Sequence, residues 1–133
     1  MMKSKAVECL TMILISVPLI LYLYVHAYYM SWHLSDPAWL MHAKNHLVRG
    51  MFGGTGLALV GLIVTFGPFR KGEYWAWWTL LVLGIFAFGG FWLSDLIANF
   101  ALPAEQKYAF LVNTLSSAFY ISGLALAWQQ RTR

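Results

Sequence analysis

The chain has 133 residues, 60% of them hydrophobic and 17% aromatic, with only 11% charged. That charged share is less than half of the about 25% usual in globular proteins, and nine Lys/Arg with five Asp/Glu cannot form the polar shell of a soluble domain. Intrinsic disorder, a coiled coil and a disulfide scaffold are excluded with it, and Cys9, the one cysteine, leaves no CxxC redox or zinc motif. The formal charge of +4 does not indicate a nucleic-acid partner. The basic residues stand in ones and twos at the ends of apolar runs, where membrane topology accounts for them.

A spanning helix takes about 20 predominantly apolar residues, and the sequence offers four such runs, 10–29, 50–69, 75–94 and 108–127. Turn signals separate them at Ser35-Asp36-Pro37, at Gly67-Pro68-Phe69-Arg70-Lys71-Gly72 and at Leu102-Pro103-Ala104-Glu105. The expectation is an all-α polytopic membrane protein, one four-helix transmembrane bundle over 1–133 with helices at about 6–30, 37–66, 74–98 and 104–128.

The first helix follows Lys3 and Lys5 and could be taken for a signal peptide over 1–27, with Val25-His26-Ala27 as a loose cleavage site. Its apolar run exceeds the usual h-region of about 7 to 15 residues, and Tyr22, Tyr24 and His26 suit a cleavage region poorly, so it reads as an anchor. In the second helix, Asp36 reads as an N-cap with Pro37 at the first helical position. From there to Phe66 the helix would extend about 45 Å against a hydrocarbon thickness of about 30 Å, placing its first turns in the outer headgroup layer. His42, His46, Gly50, Gly54 and Ala58 follow at i+4 along it. The small residues of this row let a neighbour approach closely, either a helix of the same chain or, less favoured, a second copy in a homo-oligomer through helix 2.

Lys3, Lys5, Arg70, Lys71, Arg131 and Arg133 flank one side of the four spans, against Lys44, Arg49 and Lys107 on the other. Six against three orients both termini toward the cytoplasm of a bacterial-type inner membrane. Trp75, Trp77, Trp78 and Trp128 then fall at the inner interface and Trp32, Trp39 and Trp92 toward the outer one, as an aromatic belt requires.

All four histidines, His26, His33, His42 and His46, fall in the outward third, with Asp36, Asp95, Asn99, Lys44, Asn45 and Arg49. His42, Asn45, His46 and Arg49 are spaced to share a helix face, and Asn113, Ser116, Ser117 and Tyr120 form a stripe on the fourth helix. Each has a bland explanation: interhelical hydrogen bonds for the stripe, an ion pair closing the bundle for Arg49 and Asp95, and an interfacial place for His33. Convergence at one depth raises the functional reading. His42 and His46 have the spacing of two metal ligands that Asp95 or His26 could complete, while His26 and His46 could hold a single b-type haem. A metal-free alternative gives His46, Asp95 and Arg49 acid/base work on a lipophilic molecule, with His26, His42, Asn45, Asn99, Asn113 and Tyr120 as binding residues. A contrasting expectation is a non-catalytic accessory or scaffold subunit whose polar cluster only fastens the bundle.

Two segments resemble local motifs of a group of small bacterial four-helix membrane proteins. Ser35-Asp36-Pro37-Ala38-Trp39-Leu40-Met41-His42-Ala43-Lys44-Asn45-His46 is similar to their N-P-x-W-x-x-H-A-R-x-H pattern, with Asp36 in place of Asn and Lys44 in place of Arg. Phe69-Arg70-Lys71-Gly72-Glu73-Tyr74-Trp75-Ala76-Trp77-Trp78 resembles their R-R-G-E-x-W-A-W-W stretch. The resemblance implies the four-span layout and makes His42 and His46 motif positions; it implies no particular activity.

Overall fold

A computed structural model describes residues 5–98 and 107–132, and their side chains except at 29, 30, 91, 94–98, 107–109 and 132. Four helices follow in order: α1, Lys5–Ser35; α2, Met41–Val64, prolonged by a π-helical turn at Thr65–Phe69; α3, Tyr74–Ala98; and α4, Lys107–Thr132. There is no strand among the described residues. Three helical segments, Lys5–Ser35, Met41–Phe69 and Phe110–Arg131, are long and apolar enough to cross a membrane, and α3 adds a shorter apolar stretch, Tyr74–Gly90. The outward faces of the shafts carry Ile13, Ile20, Phe52, Ile63, Ile85 and Ile121, all exposed. Such faces would be a liability in water and suit lipid.

The core is built where small residues let helices touch. A side-chain carbon added at Gly61 would lie 2.9 Å from Leu19, and one at Gly84 would collide with the ring of Tyr120. At Gly123 it would meet Ile15 at 2.8 Å and the backbone carbonyl carbon of Leu14 at 3.3 Å. Pro18 lies inside α1 and has no N–H to give to the Leu14 carbonyl, so the closest approach of α4 falls beside an interrupted rung of α1. Ile15, Leu19, Ala58, Leu80, Tyr120 and Leu124 fill the space between these crossings.

The end holding the α2–α3 turn is knitted by side chains. Pro68 falls within the widened turn, and Gly72, at φ 83°, ends it, with its N–H donating to the Phe69 carbonyl. Arg131 donates to the carbonyls of Glu73 and Tyr74 at 3.1 and 3.4 Å, and its guanidinium lies over the Phe69 and Tyr74 rings. Trp77 Nε1 donates across to the Leu124 carbonyl at 2.9 Å, and Gln130 reaches Thr11 at 3.3 Å. Arg70 and Glu8 form a loose pair at 3.8 Å.

α3 begins at Tyr74, where the sequence expectation put it, and its described part runs to Ala98; the α1–α2 connection differs from expectation. α1 continues to Ser35, and α2 begins at Met41 rather than Pro37. Asp36 does cap a turn: its carboxylate accepts from the Ala38 N–H at 2.8 Å, and its carbonyl accepts from Trp39 at 3.3 Å. The turn then breaks because Leu40 is extended, at ψ 144°, and the helix restarts behind it. Lys44 Nζ donates to the Leu34 carbonyl at 2.9 Å, satisfying one of the open carbonyls at the end of α1.

Candidate functional site

At the end away from the Arg131 network, a cavity of about 560 Å³ opens between the four helices, a size typical of small-molecule sites. Its walls are chiefly apolar and aromatic, with Leu47 and Met51 from α2, Phe86 and Phe88 from α3, and Val112 from α4. Polar groups reach it from three sources: Tyr22, His26 and His33 of α1, His46 of α2, and Asn113 with Ser116 of α4. No Asp, Glu, Lys or Arg lines it among the described residues.

Tyr22 and His26 lie one helical turn apart, with ring centroids separated by 3.8 Å. His26 Nδ1 is 2.9 Å from the Tyr22 carbonyl. A carbonyl only accepts, so Nδ1 carries the proton, and in the neutral ring Nε2 is left with its lone pair. The two side chains rest in the notch at Gly54, where an added carbon would stand 2.7 Å from Tyr22 Oη and 3.3 Å from His26 Nε2. Gly54 and the fully buried Ala58 are thus packed within the chain, whereas Gly50 at the cavity wall meets nothing within 4 Å. Phe88 stands edge-on to Tyr22 at 6.0 Å and closes the site on the α3 side.

Asn113 makes the opposite offer. Its carbonyl accepts from Ser117 Oγ at 2.7 Å, but its side-chain Nδ2 is buried and has no hydrogen-bond partner among the described residues. An unsatisfied buried donor is costly and uncommon. His33, its ring tilted by 30° against Trp39 with centroids 4.3 Å apart, lines the cavity beside the α1–α2 turn.

The expected constellation is brought together only in part. His26, His46 and Asn113 line one cavity, while His42, Asn45 and Arg49 are exposed and do not line it. His42 keeps one contact with the site: its Nε2 lies 3.1 Å from Nε2 of His46, a bond in which one ring donates and the other accepts. Tyr120, expected to bind, is placed elsewhere, 1% exposed and donating its hydroxyl to the Leu80 carbonyl at 2.7 Å. Its stripe neighbour Ser117 accepts from Trp92 at 3.4 Å. The Asp95 side chain and all of Asn99 lie outside the described residues, and the expected Arg49–Asp95 pair with them.

Among the described residues no three His, Cys, Asp or Glu gather to hold a metal ion, so His26 does not complete the His42–His46 pair. The sequence reading overlooked His33, which it assigned to the interface. With α1 continuing to Ser35, His33 falls two turns after His26 on the same face, and the lack of any Gly or Pro between His26 and Asp36 is the signal for it. Comparisons with protein-family models, curated proteins and solved structures find no match for this chain.

Proposed function

We propose that the chain is a multi-pass inner-membrane protein, with its termini in the cytoplasm, that holds a small lipophilic molecule in a cavity opening toward the outer face. The observation that carries this reading is the combination in one 560 Å³ cavity of an apolar aromatic wall with His26, His46 and Asn113, whose side-chain Nδ2 has no hydrogen-bond partner among the described residues. Apolar pockets with a few placed polar groups are the usual form of such sites. The orientation rests on the six-to-three division of basic residues. A C-terminal alkaline phosphatase fusion should be inactive, and an active one would reverse the topology.

The test of occupancy is extraction of purified protein followed by mass spectrometry, with visible spectroscopy and elemental analysis alongside for haem and metal. A lipophilic compound should co-purify in proportion to protein, and Gly50→Phe should release it, because this position lines the cavity and a side chain there meets no neighbour. Protein that is empty, and stays empty after exposure to a total lipid extract, would sink the proposal. A second reading, an accessory subunit without a ligand, draws support from the Tyr120–Leu80 and Trp92–Ser117 bonds, which use polar residues of α4 simply to join helices.

A further inference from the structure

Resting on that reading of the cavity, we infer that its occupant is an uncharged hydroxyl compound, an alcohol, phenol or hydroquinol, whose O–H donates to His26 Nε2 and whose oxygen accepts from Asn113 Nδ2. The two protein groups make complementary demands. Asn113 Nδ2 is a buried donor without a partner among the described residues, and His26, committed through Nδ1 to the Tyr22 carbonyl, has its lone pair at Nε2. An ether or ketone answers Asn113 alone, and an ammonium answers His26 alone. A carboxylate would bring a charge to walls that hold no counter-charge among the described residues. A primary amide would carry a further N–H in need of an acceptor. The hydroxyl is the smallest group that both donates and accepts, and the aromatic wall formed by Phe86, Phe88 and Trp39 suits an attached ring or hydrocarbon.

The experiment uses three probes of nearly equal bulk, para-nonylphenol, para-nonylanisole and nonylbenzene, titrated into the full chain reconstituted in lipid nanodiscs. Binding is read by native mass spectrometry, with empty nanodiscs correcting for partition into lipid. The phenol donates and accepts, the anisole only accepts, and nonylbenzene does neither. Wild-type protein should bind the phenol about tenfold more tightly than the anisole, the worth of one well-placed hydrogen bond. His26→Phe keeps the ring and should abolish that preference, and Asn113→Leu should weaken phenol and anisole together while sparing nonylbenzene.

Equal binding of phenol and anisole, with nonylbenzene also bound, would overturn the hydroxyl inference and leave the cavity proposal standing. Binding of none of the three would overturn both. A phenol preference that survives His26→Phe would overturn the assignment to His26, and phenol and anisole binding unchanged in Asn113→Leu would overturn that to Asn113. If either variant fails to fold, the wild-type series alone decides whether the site selects a hydroxyl.

Discussion

The two ends of the bundle use polar side chains in opposite ways. At the Arg131 end they reach across to backbone carbonyls of other elements: Arg131 to Glu73 and Tyr74, Trp77 to Leu124. The pocket beside them measures only about 60 Å³. At the histidine end the polar groups bond mostly within their own helix, as His26 does to Tyr22 and His42 to His46, and a void is left between the helices. Polar residues in an apolar chain therefore do not by themselves identify a site. The informative difference is whether their hydrogen bonds are spent between helices or left facing a space.

The contrast predicts that substitutions along the closed shaft cost stability while those at the open end cost binding. The largest loss should come from Gly123→Val, which drives a branched side chain into Leu14 and Ile15 at a backbone crossing and should destabilise by about 3 kcal/mol. Unfolding in a single detergent would measure it, and behaviour like that of Gly53→Val, where nothing lies within 4 Å, would mean that the helices do not cross there. Tyr120→Phe removes the bond to the Leu80 carbonyl while keeping the ring on Gly84, a loss of about 1 kcal/mol. A larger loss of ligand than of stability in that variant would put Tyr120 back in the site.

His46→Ala should leave the unfolding midpoint nearly unchanged, within about 0.5 kcal/mol as for other exposed positions, yet weaken retention of whatever co-purifies. Its collapse into unfolded protein would make the histidine end a fastening after all. The smallest effect should be that of Glu8→Gln, since the Arg70–Glu8 pair is wide and solvent-facing, and a change above about 0.5 kcal/mol would contradict its surface character.

Helix number and the start of α3 were legible because runs of apolar residues and the Gly72 turn leave little alternative. The Asp36-Pro37 signal misplaced the start of α2 for a physical reason: an aspartate capping one short turn and one capping a helix accept the same kind of N–H, and the sequence does not show that Leu40 becomes extended. The polar face of α2 was a different matter. Phase alone could have shown where it points, because Gly54 and Ala58 fix the inward side, and stepping back seven residues from Gly54 reaches Leu47, which lines the cavity. Asn45, nine residues before Gly54, stands about 180° away at 100° per residue. The orphaned Asn113 donor was not legible at all, since it depends on what the other helices fail to offer.

Among the described residues the most extensive helix pair joins α1 to α4, with Thr11 bonded to Gln130 across 119 positions. On the proposed membrane reading, a ribosome would deliver these two helices first and last among the four, and α1 would sit in lipid while its main neighbour was still being made. Its own chemistry equips it to wait. Thr11 and Ser16 turn their hydroxyls back onto the carbonyls of Val7 and Met12, four residues earlier, so neither needs a partner helix to be tolerated in hydrocarbon. The cavity, walled by all four helices, would then be a late product of biogenesis: on the same reading nothing could be captured in it before α4 had docked against α1.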